Sequence, residues 1–154
     1  MKNKIKVITT KEVKEISHFL AQSNLEWDEP IPNFDMHNKH ILESCLATPF
    51  QSFLKKDIYS NLFDKGAVLF YLMIKNHPFY NGNKRIALVT LLVFLFKNNK
   101  WLTVDNTEIY NLAKWVAASN PKLREETILA IKKFIKTYTV PLSSTKNKKI
   151  KDKF

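Results

Sequence analysis

The sequence predicts an all-α bundle around one buried central helix, with a single small β-hairpin. Three observations predict it. Apolar residues recur at helical spacing in segment after segment. The run at positions 86–96 is apolar except for Thr90, and a helix apolar on every face belongs inside a core. Cap residues stand where the periodic segments begin and end.

Taken in order, Thr9-x-x-Glu12 forms a capping box, after which Val13, Ile16, Phe19 and Leu20 make an inward stripe. Pro30 and Pro32 make positions 24–33 a loop. Positions 38–47 read as a short helix with Ile41, Leu42, Cys45 and Leu46 inward. Thr48-Pro49 ends it, because a residue before proline avoids the helical region. Phe50-Gln51-Ser52-Phe53-Leu54 alternates like an extended segment or hairpin arm. Positions 61–76 form an apolar helix through Leu62, Phe63, Leu69, Phe70, Leu72 and Met73. Gly66 inside it costs about 1 kcal/mol against alanine, which points to a close helix contact. The central helix covers 86–98, and Asn98-Asn99 stops it. Another helix covers 107–118. Asn120-Pro121 then supplies a cap and a proline at the first helical position. Glu125 and Glu126 at its start, with Lys132, Lys133 and Lys136 near its end, complement the helix dipole. Leu123, Ile128, Ile131, Phe134, Ile135 and Tyr138 give its inward stripe.

The chain has 154 residues, 45% of them apolar, enough for one domain with a real core. That domain is expected over 1–140, followed by a lysine-rich tail over 141–154. Cys45 is the single cysteine, so no intramolecular disulfide can form. Its apolar helical setting predicts a buried structural thiol. The basic N-terminus lacks the apolar core of a signal peptide. The longest apolar run falls well short of the ~20 residues that span a bilayer, and a cytoplasmic location is expected. Net charge is +11, which suits acidic partners such as nucleic acid, an acidic protein or nucleotide phosphates.

The chemistry concentrates in residues 77–85, His77-Pro78-Phe79-Tyr80-Asn81-Gly82-Asn83-Lys84-Arg85. This stretch holds one of the chain's two glycines. Alternation sends His77 and Asn81 to one side of an extended segment, with Phe79 anchoring the loop to the core. Gly82 permits a backbone turn, and Asn83 is placed to cap the central helix. Free N–H groups and the dipole at that helix start make an anion site. Lys84 and Arg85 crowd cations there, each at a cost of roughly 0.3–1 kcal/mol, and an anionic ligand gives a reason. Imidazole titrates near neutrality, so His77 can accept a proton. A base beside a phosphate site suits phosphoryl or nucleotidyl transfer to a hydroxyl. The bland alternative is a capped helix start with two solvated cations, and the full combination outweighs it.

At these residues the sequence resembles the Fic/Doc family, whose signature is HxFx(D/E)GN(G/K)R. His77, Phe79, Gly82, Asn83 and Arg85 match, and Lys84 takes the lysine form of its position. Leu88 stands where the Fic branch has a second arginine, which points to the death-on-curing, or Doc-like, branch. The resemblance runs from about Thr9 to Tyr138. It implies a helical Fic/Doc fold, with His77 as general base for a target hydroxyl. It implies that Gly82, Asn83, Lys84 and Arg85 hold the phosphates of ATP as donor. It places Gln51, Ser52 and Phe53 in a β-hairpin flap that clamps a target segment by strand addition.

By this resemblance the chain is a toxin of a toxin–antitoxin pair. It would transfer phosphate to a Ser or Thr of a target such as elongation factor Tu, and an antitoxin partner would silence it. No internal inhibitory motif of the form (S/T)xxxE(G/N) is visible. The alternatives are Fic-like AMP transfer and a non-catalytic relative. The latter follows from Asn81, which replaces the family's Mg²⁺-binding acid with a neutral oxygen. A nucleic-acid binder is a third reading, resting on charge alone. The lysines are scattered, and Trp27, Trp101, Trp115 and Tyr110 read as core or groove residues rather than stacking platforms. His37 and His40, one turn apart, lack a third zinc ligand.

Overall fold

The structure is a computed structural model that describes residues 4–24 and 30–144. Trp27 and the lysines at positions 146–153 lie outside the described residues. The described residues form a helical bundle with two small antiparallel sheets.

The first helical stretch comprises α1 (Thr10–Glu12), a π-helical segment (Val13–His18) and α2 (Phe19–Asn24). Thr9 and Glu12 form the expected capping box. The inward stripe differs from expectation. Val13, Ser17, His18 and Ala21 are buried, while Ile16 and Phe19 are exposed. The π segment is the reason: its wider i→i+5 turns shift the buried face away from 3.6-residue spacing. That shift aims His18 into the molecule.

Helix α3 (Lys39–Ala47) is capped by Asn38, whose side chain accepts from Ile41 N. It buries Leu42, Cys45 and Leu46. Burial pushes the Cys45 thiol up to about 11, so this cysteine stays an inert core thiol. A 3₁₀ turn (Thr48–Phe50) leads to a hairpin of β1 (Ser52–Phe53) and β2 (Lys56–Asp57).

Helix α4 (Leu62–Lys75) is capped by Asn61. It packs against α5 (Asn83–Lys97) and α7 (Arg124–Tyr138). A Cβ added at Gly66 would sit 3.3 Å from Leu91 Cδ1 on α5, which is the close helix contact the glycine foretold. Helix α5 is the central helix. It is buried continuously from Arg85 to Leu95, and each fully buried large apolar side chain contributes about 1.5–3 kcal/mol. No helix among the described residues is long and apolar enough to cross a membrane.

Helix α6 (Asn106–Ala118) is capped by Asp105. Trp101 is buried and Trp115 exposed. Asn120 caps a 3₁₀ turn (Pro121–Leu123) that precedes α7, which leaves Leu123 exposed instead of on the inward stripe. A second sheet pairs β3 (Lys100–Leu102) with β4 (Thr139–Pro141). Leu142 N then donates to Asn99 O at 2.9 Å. Pro141 and Leu142, assigned to the tail by sequence, therefore remain part of the fold.

Candidate active site

The loop between α4 and α5 is not the extended segment that alternation predicts. His77 sits at φ +48° and Gly82 at φ +78°. Only Phe79 makes a strand-like bridge, antiparallel to His37. His77 and Tyr80 are exposed, while Pro78 and Phe79 are buried. A non-glycine residue in the left-handed region stores strain. Histidine tolerates that region better than most residues do.

Three devices fix the loop. The first is Gly82, which caps α5 through its backbone alone. Its carbonyl accepts from Ile86 N at 2.9 Å, and a Cβ there would lie 2.5 Å from Ile31 Cγ1. The second is Asn83. It does not cap the helix as expected, because it is already the first helical residue. Its Oδ1 accepts from Phe79 N at 3.0 Å and its Nδ2 donates to Phe79 O at 2.8 Å. These two bonds fix which end of the amide is which. Its second Nδ2 hydrogen therefore faces His77 Nδ1, 3.4 Å away. A neutral His77 ring that accepts there carries its hydrogen on Nε2.

The third device is a collar formed by residues 30–38. Asn38 N donates to Pro78 O at 2.8 Å, and Asn81 Nδ2 donates to Pro30 O at 3.2 Å. Behind Phe79 lie the rings of His18, Phe34 and His37, with centroid separations from 4.2 to 5.8 Å. His18 Nε2 donates to Pro32 O at 2.9 Å and His37 Nδ1 bonds Phe34 O. Burial holds the His18 imidazole below its ordinary value, and His37 adds to the effect against the Pro32 bond. Phe79 is thus the anchor that the sequence foretold.

The first turn of α5 brings Asn83, Lys84 and Arg85 together, with no side chain capping its N–H groups. Arg85 is buried and Lys84 half-buried. The helix start thus brings backbone donors and two cations beside an exposed histidine, a geometry chemically able to receive a phosphate-like anion. A cavity of about 310 Å³ opens at His77, lined also by Met36, His37, Ile41, Phe79 and Tyr80 among others.

Gln51, Ser52 and Phe53 do form a hairpin, but it stands away from this site. Phe50 packs on Phe94, with ring centroids 6.1 Å apart. Phe94 is eleven residues beyond Asn83 along α5, or about 16 Å at 1.5 Å per residue. Lys65, in the first turn of α4, holds the hairpin's base, whereas His77 follows the other end of α4. The segment beside His77 is Met36–Asn38, which sequence reasoning missed. Its one signal was Ile31, an apolar residue set between two prolines.

Asn81 does not fit the role of a metal ligand. Its Oδ1 accepts from Gly82 N at 2.8 Å and its Nδ2 is spent on Pro30. Among the described residues no three His, Cys, Asp or Glu side chains cluster to hold a cation. The side chain straps the collar to the loop instead.

The structure gives a helical protein with a histidine beside the start of one buried helix, and the sequence comparison names its class. The model of the Fic/DOC family matches residues 7–95, more than half of the 154. The chain belongs to the Fic/DOC family. It is similar to a protein described as Toxin Doc from Mycolicibacterium smegmatis (strain ATCC 700084 / mc(2)155), at 34% identity over 65 residues. The match covers 42% of this chain, which spans about half (50%) of that relative's length. No solved structure matches the chain.

Proposed function

We propose that the chain is a Doc-like toxin that moves a phosphate group from ATP to a Ser or Thr hydroxyl of a target protein. Elongation factor Tu is the target class that the family resemblance favours, and an antitoxin partner restrains the activity. The observation that carries this reading is the α5 start. Its backbone donors, with Lys84 and Arg85, lie beside an exposed His77 whose ring is oriented by Asn83.

In this reading the target segment lies along Met36–Asn38, in the cavity that His77 lines. The imidazole removes the hydroxyl proton as the oxygen attacks the γ-phosphorus. The bond from that phosphorus to the β–γ bridging oxygen breaks, and ADP leaves. Charge on the phosphoryl oxygens is met by the α5 N–H groups and the two cations. His77 offers a lone pair toward the hydroxyl when it gives up the 3.4 Å contact to Asn83 or exchanges its tautomer. AMP transfer uses the same groups with attack at the α-phosphorus, and the mass gained by the target separates the two.

A second reading, a non-catalytic nucleotide or partner binder, is favoured by Asn81, whose side chain is consumed in loop bonds. The experiment is target modification by wild type, His77→Ala and Asn81→Asp. Activity in wild type that His77→Ala abolishes supports transfer. Activity that appears only in Asn81→Asp supports the second reading.

A further inference from the structure

Three features at the far end of α4 work against stability locally and have no return among the described residues. Phe53, Leu54 and Ile58 are 70%, 81% and 55% exposed. Leu54 and Lys55, the two turn residues, both have positive φ, at +51° and +65°. Two-residue hairpin turns of this kind prefer Asn or Gly, so a Leu-Lys pair is strained. Finally, Lys65 is only 2% exposed and its ammonium is committed to holding the hairpin in place.

That commitment is complete. An ammonium has three donors, and Lys65 Nζ meets Pro49 O at 3.3 Å, Tyr59 O at 2.5 Å and Asp57 Oδ2 at 3.2 Å. It also lies 5.1 Å from the Phe50 ring centre. Pro49 and Tyr59 bracket the hairpin, so one buried side chain ties both of its ends. A short two-stranded hairpin is at best marginally stable by itself. Lys65 is what lets this one keep a strained, apolar tip in solvent.

The register sorts the faces. Ser52 pairs with Asp57 and Phe53 with Lys56, and Ile58 N donates to Gln51 O at 3.1 Å. Side chains two apart share a face, so Gln51, Phe53, Lys56 and Ile58 stand on one side. Ser52 and Asp57 stand on the other, with Asp57 turned to Lys65. Asp57 is the only carboxylate in positions 51–58 and is spent on that pair. The charge left on the hairpin is that of Lys55 and Lys56.

We propose that this hairpin is a docking face for a partner protein that presents an acidic segment with apolar side chains, at a site remote from His77. The apolar pair takes the partner's apolar residues, and the two lysines take its carboxylates. A second copy of this chain is a poor occupant: it carries a net charge of +11, and lysines along an exposed strand oppose self-pairing. The inference does not depend on what the His77 loop does.

The test is NMR titration of the ¹⁵N-labelled full chain with a capped octapeptide of alternating Glu and Val. A Lys/Val octapeptide serves as control. The expected result is amide shifts confined to positions 51–58 and their Lys65 anchor, weakened by salt. They should be absent with the control and lost in the surface variant Phe53→Ser/Ile58→Ser, whose core amides keep their positions. No hairpin shifts at millimolar peptide, or equal shifts with the Lys/Val control, would overturn the proposal. Hairpin shifts that follow protein concentration without peptide would assign the face to a second copy and also overturn it.

Discussion

The two ends of the α4–α5 pair both hold backbone in the left-handed region, but in opposite ways. At the His77 end the left-handed residues are His77, which is exposed, and Gly82, which is buried against Ile31. Two buried Asn83 bonds and the rings of His18, Phe34 and His37 hold Phe79. At the hairpin end the turn residues are Leu54 and Lys55, and they are exposed. One buried lysine holds that end from beneath. A loop enclosed by packing on Gly82 and Phe79 is held in one geometry, as chemistry requires. Strain held out in solvent presents a surface.

The largest effect expected from breaking this comparison is at Gly82. Gly82→Ala meets both a left-handed φ and Ile31, and should lose about 2–4 kcal/mol in denaturant unfolding. Gly66→Ala is its control. There the φ is helical and the neighbour is a flexible Leu91 tip, so the change should stay within about 1 kcal/mol. Asn83→Ala removes two buried hydrogen bonds and should cost roughly 2 kcal/mol. It should also release the His77 ring, visible as altered imidazole NMR shifts. Lys65→Met should act locally, at the other end. Hydrogen exchange at the Ile58 amide should quicken at least tenfold, while α5 amides such as Leu91 stay protected.

A smaller effect concerns pH. The folded pKa of His18 lies below its ordinary value of 6.5 because burial disfavours the cation. The unfolded chain therefore binds the extra proton first. His18 contributes stability above about pH 6.5 that is lost as pH falls through and below that value. His18→Phe, which keeps the ring cluster, should flatten this part of a stability–pH curve. Glu12 acts in a more acidic window. Burial alone would raise its carboxyl, but hydrogen bonds from Lys97 and Thr9 hold it below 4.5. Its contribution is present above about pH 4.5 and is lost below it.

Much of the fold was legible because it is local. The Thr9–Glu12 capping box forms as expected, and the helices expected to start near Asn38 and Asn61 do start there, each capped by that asparagine. The run after Arg85 is the buried helix, and Phe79 is the anchor. What escaped was set by distant partners. β3 and β4 pair across nearly forty residues and leave no turn signal between them. The π turn moved Ile16 and Phe19 outward with no residue type to announce it. Asn83 looked like a cap because Asn caps helices often. Gly82, already left-handed, took that place and freed the amide to hold Phe79. The collar of residues 30–38 reads in sequence as a proline-bearing loop, and its role depends wholly on what it wraps. For that reason the hairpin over Ser52–Asp57, the most visible extended segment, was assigned a place beside His77 that Met36–Asn38 occupies.

The central proposal is that His77, beside the α5 start, serves as the base for phosphate transfer from ATP to a protein hydroxyl. Intact-mass measurement tests it most directly. Wild type and His77→Ala are each incubated with ATP, Mg²⁺ and purified elongation factor Tu, and then with whole lysate. The account predicts a gain of one phosphate on a target protein with wild type and none with His77→Ala. No ATP-dependent mass change in any protein, or a change that persists in His77→Ala, would contradict it.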